Sequence, residues 1–60
     1  MHYVIKEYYR HSGEFIGDTW YISSMEAIDT ALKILKNKNI HCEVWKVFYD
    51  NTGKLKEIKI

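Results

Sequence analysis

The sequence predicts one small α+β domain over residues 1–60, with a helix packed on a four-stranded antiparallel sheet in the order ββαββ. Three observations favour this two-layer fold. Four segments are rich in β-branched and aromatic residues, one segment carries apolar residues at three- and four-residue steps, and a glycine lies between the strands of each pair. A chain of 60 residues, 47% of them hydrophobic, can form one small core and no second domain.

The first two strands are predicted as a hairpin. His2–Arg10 is rich in Tyr, Val and Ile, Glu14–Ile22 is aromatic and β-branched, and Gly13 lies between them. A type I turn followed by a left-handed glycine would place Arg10 opposite Glu14. The same register gives the other cross-strand pairs: Tyr3 with Tyr21, Val4 with Trp20, Ile5 with Thr19, Lys6 with Asp18, Tyr8 with Ile16 and Tyr9 with Phe15.

The segment from Ser24 to about Asn37 predicts an amphipathic helix. The Ser23 hydroxyl can accept a hydrogen bond from the backbone N–H of Glu26 in a capping box, and Asn37–Asn39 can end the helix in a left-handed conformation. The apolar stripe consists of Met25, Ile28, Leu32 and Leu35, widened by Ala27, Ala31 and Ile34.

A second hairpin follows, with strands Ile40–Tyr49 and Leu55–Ile60. Its turn resembles the first at a spacing of forty residues, which we interpret as convergence on a common turn, and it places Asp50 opposite Lys54. A helical crossover makes strands two and three run in the same direction, so an all-antiparallel sheet requires the order 2-1-3-4. Gly17 and the lysines of strand four suit the two edges.

Composition narrows the classes of function. The single cysteine, Cys42, cannot form an internal disulfide, which favours a reducing compartment and cytoplasmic localisation. No apolar run approaches the roughly 20 residues of a membrane helix, and no secretory leader is recognisable. We therefore expect a protein without a membrane association.

No residue pattern predicts catalysis, a metal or a cofactor. His41 and Cys42 are adjacent on a strand and point to opposite faces, so they cannot bind one ion together. His11 lies in a turn without an orienting carboxylate at a fixed spacing, and Cys42 on an aliphatic strand face is expected to pack as a small hydrophobe. The prediction is a protein that is not an enzyme and holds no cofactor.

Neither face of either hairpin is polar, and one helix can cover only one side of the sheet. The odd-numbered face of the first hairpin, with a single charge at Glu7, is predicted to pack on the helix. Large apolar side chains then remain on the other side, where we expect a partner protein or a second copy of the chain to bind. The candidate partner-binding residues are Tyr8, Trp20, Trp45, Val47, Tyr49 and Leu55.

Single-stranded nucleic acid is the alternative partner, because exposed aromatics can stack on unpaired bases. The phosphate contacts would come from four lysines of the second hairpin: Lys46, Lys54, Lys56 and Lys59. The near-neutral net charge of +1 and the role of edge lysines in preventing further strand pairing favour the protein partner.

Overall fold

The computed structural model describes residues 1–60 and has the predicted two-layer α+β fold. One helix packs on a four-stranded antiparallel sheet whose strand order is β2-β1-β3-β4. The predicted order is confirmed, with β2 and β4 at the edges. The elements are β1 (His2–Tyr9), β2 (Phe15–Tyr21), α1 (Ser24–Ile34), β3 (Ile40–Tyr49) and β4 (Leu55–Lys59).

The register of the first hairpin is correct only away from its turn, where Val4 lies opposite Trp20. After Glu7 a β-bulge shifts the pairing by one residue and brings Tyr8 opposite Phe15. The bulge also moves Phe15 to the face that Tyr8 occupies, since opposite residues of an antiparallel pair share a face. Three predicted pairs are therefore wrong: Tyr8 with Ile16, Tyr9 with Phe15 and Arg10 with Glu14.

The error comes from the width of the turn. Gly13 is left-handed as predicted, with φ of 71°, but its N–H donates to the carbonyl of Tyr9, four residues earlier. In the second turn Gly53, with φ of 81°, donates to Asp50, three residues earlier. The first turn is thus one residue wider, and Glu14 accepts its hydrogen bond from the N–H of Tyr9.

The second hairpin keeps the predicted register, and the N–H of Asp50 donates to the carbonyl of Lys54 at 2.9 Å. The side chain of Asp50, however, does not form the predicted ion pair with Lys54. One carboxylate oxygen of Asp50 accepts hydrogen bonds from Thr52 and from the backbone of Lys54, and the other lies 4.0 Å from the ammonium of Lys56. The Thr52 hydroxyl and these backbone N–H groups lower the pKa of Asp50.

The helix is shorter than predicted, and both predicted caps are wrong. Ser23 occupies the N-cap position, but its side chain makes no capping hydrogen bond, because water can satisfy the N–H groups of an exposed first turn. At the other end Asn37 donates to the carbonyl of Ile34, which tightens the last turn. No residue other than glycine has a positive φ, and the side chain of Asn37 instead accepts a hydrogen bond from the N–H of Asn39.

The core between the layers is small. Ile5 of β1, Ala27 and Ala31 of α1, and Cys42 of β3 are buried together. Burial raises the pKa of the Cys42 thiol, and the Glu7 carboxylate adds to this effect. The odd-numbered face of β1 therefore packs on the helix, as predicted. Four partly buried residues surround this core: Tyr3, Tyr21, Ile34 and Val44.

The helix contacts the sheet through its smallest side chains. Ala27 and Ala31 are four residues apart, lie one above the other and are buried. The larger members of the predicted stripe are outside this contact and are exposed, Met25 to 74% and Leu32 to 59%. Ile28 and Leu35 are exposed to a smaller extent. The sequence pattern located the apolar stripe, but the core uses only its alanine side and Ile34.

Candidate protein-binding surface

All six candidate residues lie on the side of the sheet opposite α1, which we call the open face. Cys42 points toward the helix, so the odd-numbered residues of β3 point away from it. The pairing of Val4 with Trp45 then assigns the even-numbered residues of β1 to the same side. The strands present the candidates as follows: Tyr8 on β1, Trp20 on β2, Trp45, Val47 and Tyr49 on β3, and Leu55 on β4.

Val47 is only 1% exposed and cannot touch a partner. It lies between His2 and Glu57 of the neighbouring strands, while Val4, also buried, lies between two tryptophans in the next row. The open face therefore has a small apolar layer of its own without a covering helix. Val47 belongs to this layer and supports the surface from below.

Trp20 is the most exposed tryptophan, with 57% of its surface accessible on the edge strand β2. Its ring packs on the imidazole of His2, with centroids 3.9 Å apart and an interplanar angle of 34°. This contact holds the indole against the sheet while its outer surface remains available. An exposed tryptophan on a rigid support is the type of residue that dominates protein interfaces.

Trp45 lies at the centre of a charged network. Its indole N–H donates to Glu43 at 3.1 Å, and the other carboxylate oxygen of Glu43 lies 3.1 Å from the ammonium of Lys59. The ammonium of Lys6 lies 4.6 Å above the indole ring and 3.5 Å from Glu57. The hydrogen bond from Trp45 and the contact with Lys59 lower the pKa of Glu43. Trp45 is consequently half-buried and fixed in orientation.

The two ends of the open face are aromatic and apolar. At one end the rings of Tyr8 and Phe15 meet edge to face with centroids 5.6 Å apart. At the other end Tyr49 lies opposite Leu55, and both are exposed. A shallow depression of about 460 Å³ adjoins the first end and is lined by Tyr8, Tyr9, Arg10, Gly13, His41 and Glu43.

The aromatic groups of the open face are thus separated by ion pairs. Two residues of this face, Phe15 and His2, are not predicted from the sequence. The predicted register places Phe15 on the helix side, and the width of the first turn, which no residue type marks, moves it to the open face. No residue pattern marks His2, because its role depends on stacking against Trp20. The alternation of residues along β3 could have indicated that Glu43 accompanies Trp45.

The structure distributes the four lysines of the nucleic-acid alternative over different surfaces. Lys46 and Lys56 are on the side of the sheet that faces α1, Lys54 is beside the turn, and Lys59 is on the open face. Lys59 is also engaged by Glu43. The ammonium of Lys46 lies 5.6 Å from the centroid of the Phe48 ring on the helix side of the sheet, and only Lys59 shares the open face with the exposed ring of Trp20.

Cys42 lies under α1 with its sulfur 3.6 Å from the carbonyl oxygen of Ala31. No group of three or more His, Cys, Asp or Glu side chains is arranged to hold a metal ion. The single helix, α1, is too short to cross a bilayer. Comparison with protein-family models, with curated proteins and with solved structures finds no match for the chain.

Proposed function

We propose that this protein is a small non-enzymatic interaction module that binds a partner protein through the open face. The observation that carries the proposal is the exposure of Trp20 on a rigid support, with further exposed apolar groups at both ends of the face. Tryptophan and tyrosine anchor protein interfaces because they bury a large area with few rotatable bonds.

The anchoring groups are largely ordered before binding. His2 fixes Trp20, and Glu43 together with Lys6 fixes Trp45. Binding therefore costs little side-chain entropy, which favours affinity from a modest contact area. Because charged groups lie between the rings, the expected interface is mixed aromatic and polar, as in complexes whose components also exist apart.

The size of the molecule also supports a binding role. Its accessible surface is 4548 Å², whereas a compact monomer of this mass is expected to expose about 4,100 Å². Its radius of gyration is 12.4 Å, against about 10.4 Å for a typical domain of this length. The isolated chain leaves more surface uncovered than its size requires, which is consistent with a protein that is completed by association.

The charge of the open face favours a protein over a nucleic acid. Its ammonium groups, on Lys6 and Lys59, already pair with Glu57 and Glu43, and Asp18 adds another carboxylate. The Arg10 guanidinium borders one end of the face, so the surface has no excess of positive charge with which to bind a phosphate backbone. The partner is expected to be a protein that offers apolar side chains together with a few polar ones.

Affinity capture with matched variants tests this function. The wild-type chain, Trp20→Ser and Tyr49→Ser are immobilised and exposed to extract from the source cells, with Ile22→Ser as the control because Ile22 is exposed outside the open face. We expect one protein, identified by mass spectrometry, to bind the wild type and the control, with at least about tenfold weaker binding to both open-face variants. Capture that is equal for all four, or that disappears after nuclease treatment, contradicts the proposal.

We further propose that the module acts in the cytoplasm, where its one free cysteine stays reduced. Fractionation of source cells followed by immunodetection tests this, and recovery outside the cytoplasmic fraction contradicts it.

A further inference from the structure

A second apolar surface lies on the helix side of the sheet. Ile58 of β4 lies opposite Lys46, and the N–H of Ile60 donates a hydrogen bond to the carbonyl of Val44. Both isoleucines therefore point to the side of the sheet on which α1 packs. The side chains that remain exposed on this side define the helix-side patch: Met25, Ile28, Leu32, Leu35, Ile58 and Ile60.

The position of the helix leaves the edge strand β4 uncovered. α1 lies over β1, β2 and β3 and makes no contact with β4, which leaves Ile58 and Ile60 uncovered beside it. β2 and β3 run in the same direction, and a crossover between such strands is right-handed. With that handedness, the flank of α1 that carries Ile28 and Leu35 turns toward β4, so these side chains and the two isoleucines of the edge strand lie on the same side of the molecule.

The charges of α1 are segregated along its length. Glu26 and Asp29 lie in the first half of the helix, and Lys33 and Lys36 lie at its end and just beyond. With the stripe residues Met25, Ile28, Leu32 and Leu35 at the contact, Asp29 and Lys36 occupy the flanking positions, whereas Glu26 and Lys33 lie farther around the helix. In an antiparallel pair Asp29 of each copy lies beside Lys36 of the other, a contact between opposite charges that a parallel pair does not make. The surface is therefore complementary to a second copy of itself in one orientation.

We propose that a second copy of this chain occupies the helix-side patch, forming a two-fold dimer in which the α1 helices pack antiparallel. The two-fold axis is perpendicular to the helices and passes between them, which brings Ile58 and Ile60 of both copies beneath the helix pair. The stripe residues Met25, Ile28, Leu32 and Leu35 repeat at three- and four-residue steps, the spacing that lets two helices interlock. The open face remains free for the partner protein.

The area suits a dimer of moderate affinity. From the exposed fractions, the six side chains offer on the order of 400 Å² of apolar surface per copy. Homodimer interfaces are about 65% apolar, so the whole contact is about 600 Å² per copy, or about 1,200 Å² in total. This value is at the lower limit of stable interfaces, so we expect a dimer that dissociates on dilution.

Sedimentation equilibrium of the full chain tests the dimer directly. Leu32→Glu places a charge in the stripe at a position that is exposed in the monomer, so folding is retained and circular dichroism checks this. Leu55→Glu is the matched control, because Leu55 is similarly exposed but on the open face. We expect a dissociation constant at least about tenfold higher for Leu32→Glu and an unchanged one for Leu55→Glu. A wild type that stays monomeric at millimolar concentration, or a Leu32→Glu chain that dimerises as the wild type does, overturns the proposal.

Charge reversal tests the antiparallel arrangement. One variant carries Asp29→Lys and another carries Lys36→Glu, so that both positions flanking the stripe have the same sign of charge. Each variant alone is expected to dimerise at least about tenfold more weakly than the wild type, and an equimolar mixture is expected to restore dimerisation. Dimerisation of either variant at wild-type strength contradicts antiparallel pairing and overturns the proposed dimer. Binding of the partner protein by Leu32→Glu is a separate readout that reports on the open face alone.

Discussion

The indole N–H of Trp45 donates to the carboxylate of Glu43 at 3.1 Å, and the two residues lie two positions apart on the same face of β3. The carboxylate therefore lies beside the ring in the plane of the open face. Lys59 approaches the second carboxylate oxygen at the same distance, which connects β3 to the edge strand β4. This arrangement orders the middle of the open face without a helix above it.

Replacement of Glu43 tests the network through its pH dependence. The lowered pKa of Glu43 means that its ionised form stabilises the fold at neutral pH and that this stability is lost as the pH falls through the lowered value. Glu43→Gln keeps an acceptor for Trp45 but removes the charge. We expect urea unfolding to show Glu43→Gln as less stable at pH 7 and equal to the wild type only at a pH below the lowered pKa of Glu43. A difference that does not change with pH contradicts the role assigned to the charge.

Val47 and Tyr49 lie on the same face of the same strand but differ in burial. Val47→Ala removes buried methyl groups from the layer beneath the open face and should lower the free energy of unfolding by about 2 kcal/mol. Tyr49→Ala should cost less than about 1 kcal/mol, because Tyr49 is mostly exposed. Chemical denaturation of both variants measures this, and equal losses would show that the open face has no buried layer.

The left-handed glycines of the two turns make a further prediction. Gly13→Ala and Gly53→Ala should each lower the free energy of unfolding by about 1–2 kcal/mol, because both positions have positive φ. Gly17→Ala is the control, since Gly17 lies in a strand without positive φ and an added Cβ meets no atom within 4 Å. We expect Gly17→Ala to be neutral or slightly stabilising in thermal unfolding. A loss at Gly17 as large as that at Gly53 would mean that backbone conformation is not the cause.

Sequence patterns were sufficient for the elements and their order in the sheet. The glycine at each turn locates the hairpins, and the helical crossover leaves one simple all-antiparallel arrangement. Asp50 also marks the second turn correctly, because its carboxylate accepts hydrogen bonds from the turn backbone. These features depend on local backbone conformation and local hydrogen bonds, which follow directly from the type of residue at each position.

Features that depend on distances between elements could not be predicted. The first turn is wider by one residue although its glycine aligns with that of the second, so the predicted face of Phe15 is wrong. The apolar stripe of α1 covers about half of the helix circumference, and periodicity alone does not say which part approaches the sheet. Ala27 and Ala31 face the sheet because their small side chains allow the closest approach of the helix to the strands. Leu32 then lies outside the contact.

Cross-saturation transfer in the complex with the captured partner tests the central claim most directly. The chain is labelled with ¹⁵N and deuterium, and the protons of the unlabelled partner are irradiated. Binding through the open face predicts loss of signal at the indole N–H of Trp20 and the amide of Tyr49, with the amide of Leu32 unaffected. Loss of signal at Leu32 with no change at Trp20 and Tyr49 would contradict the account, because the partner would then occupy the helix side of the molecule.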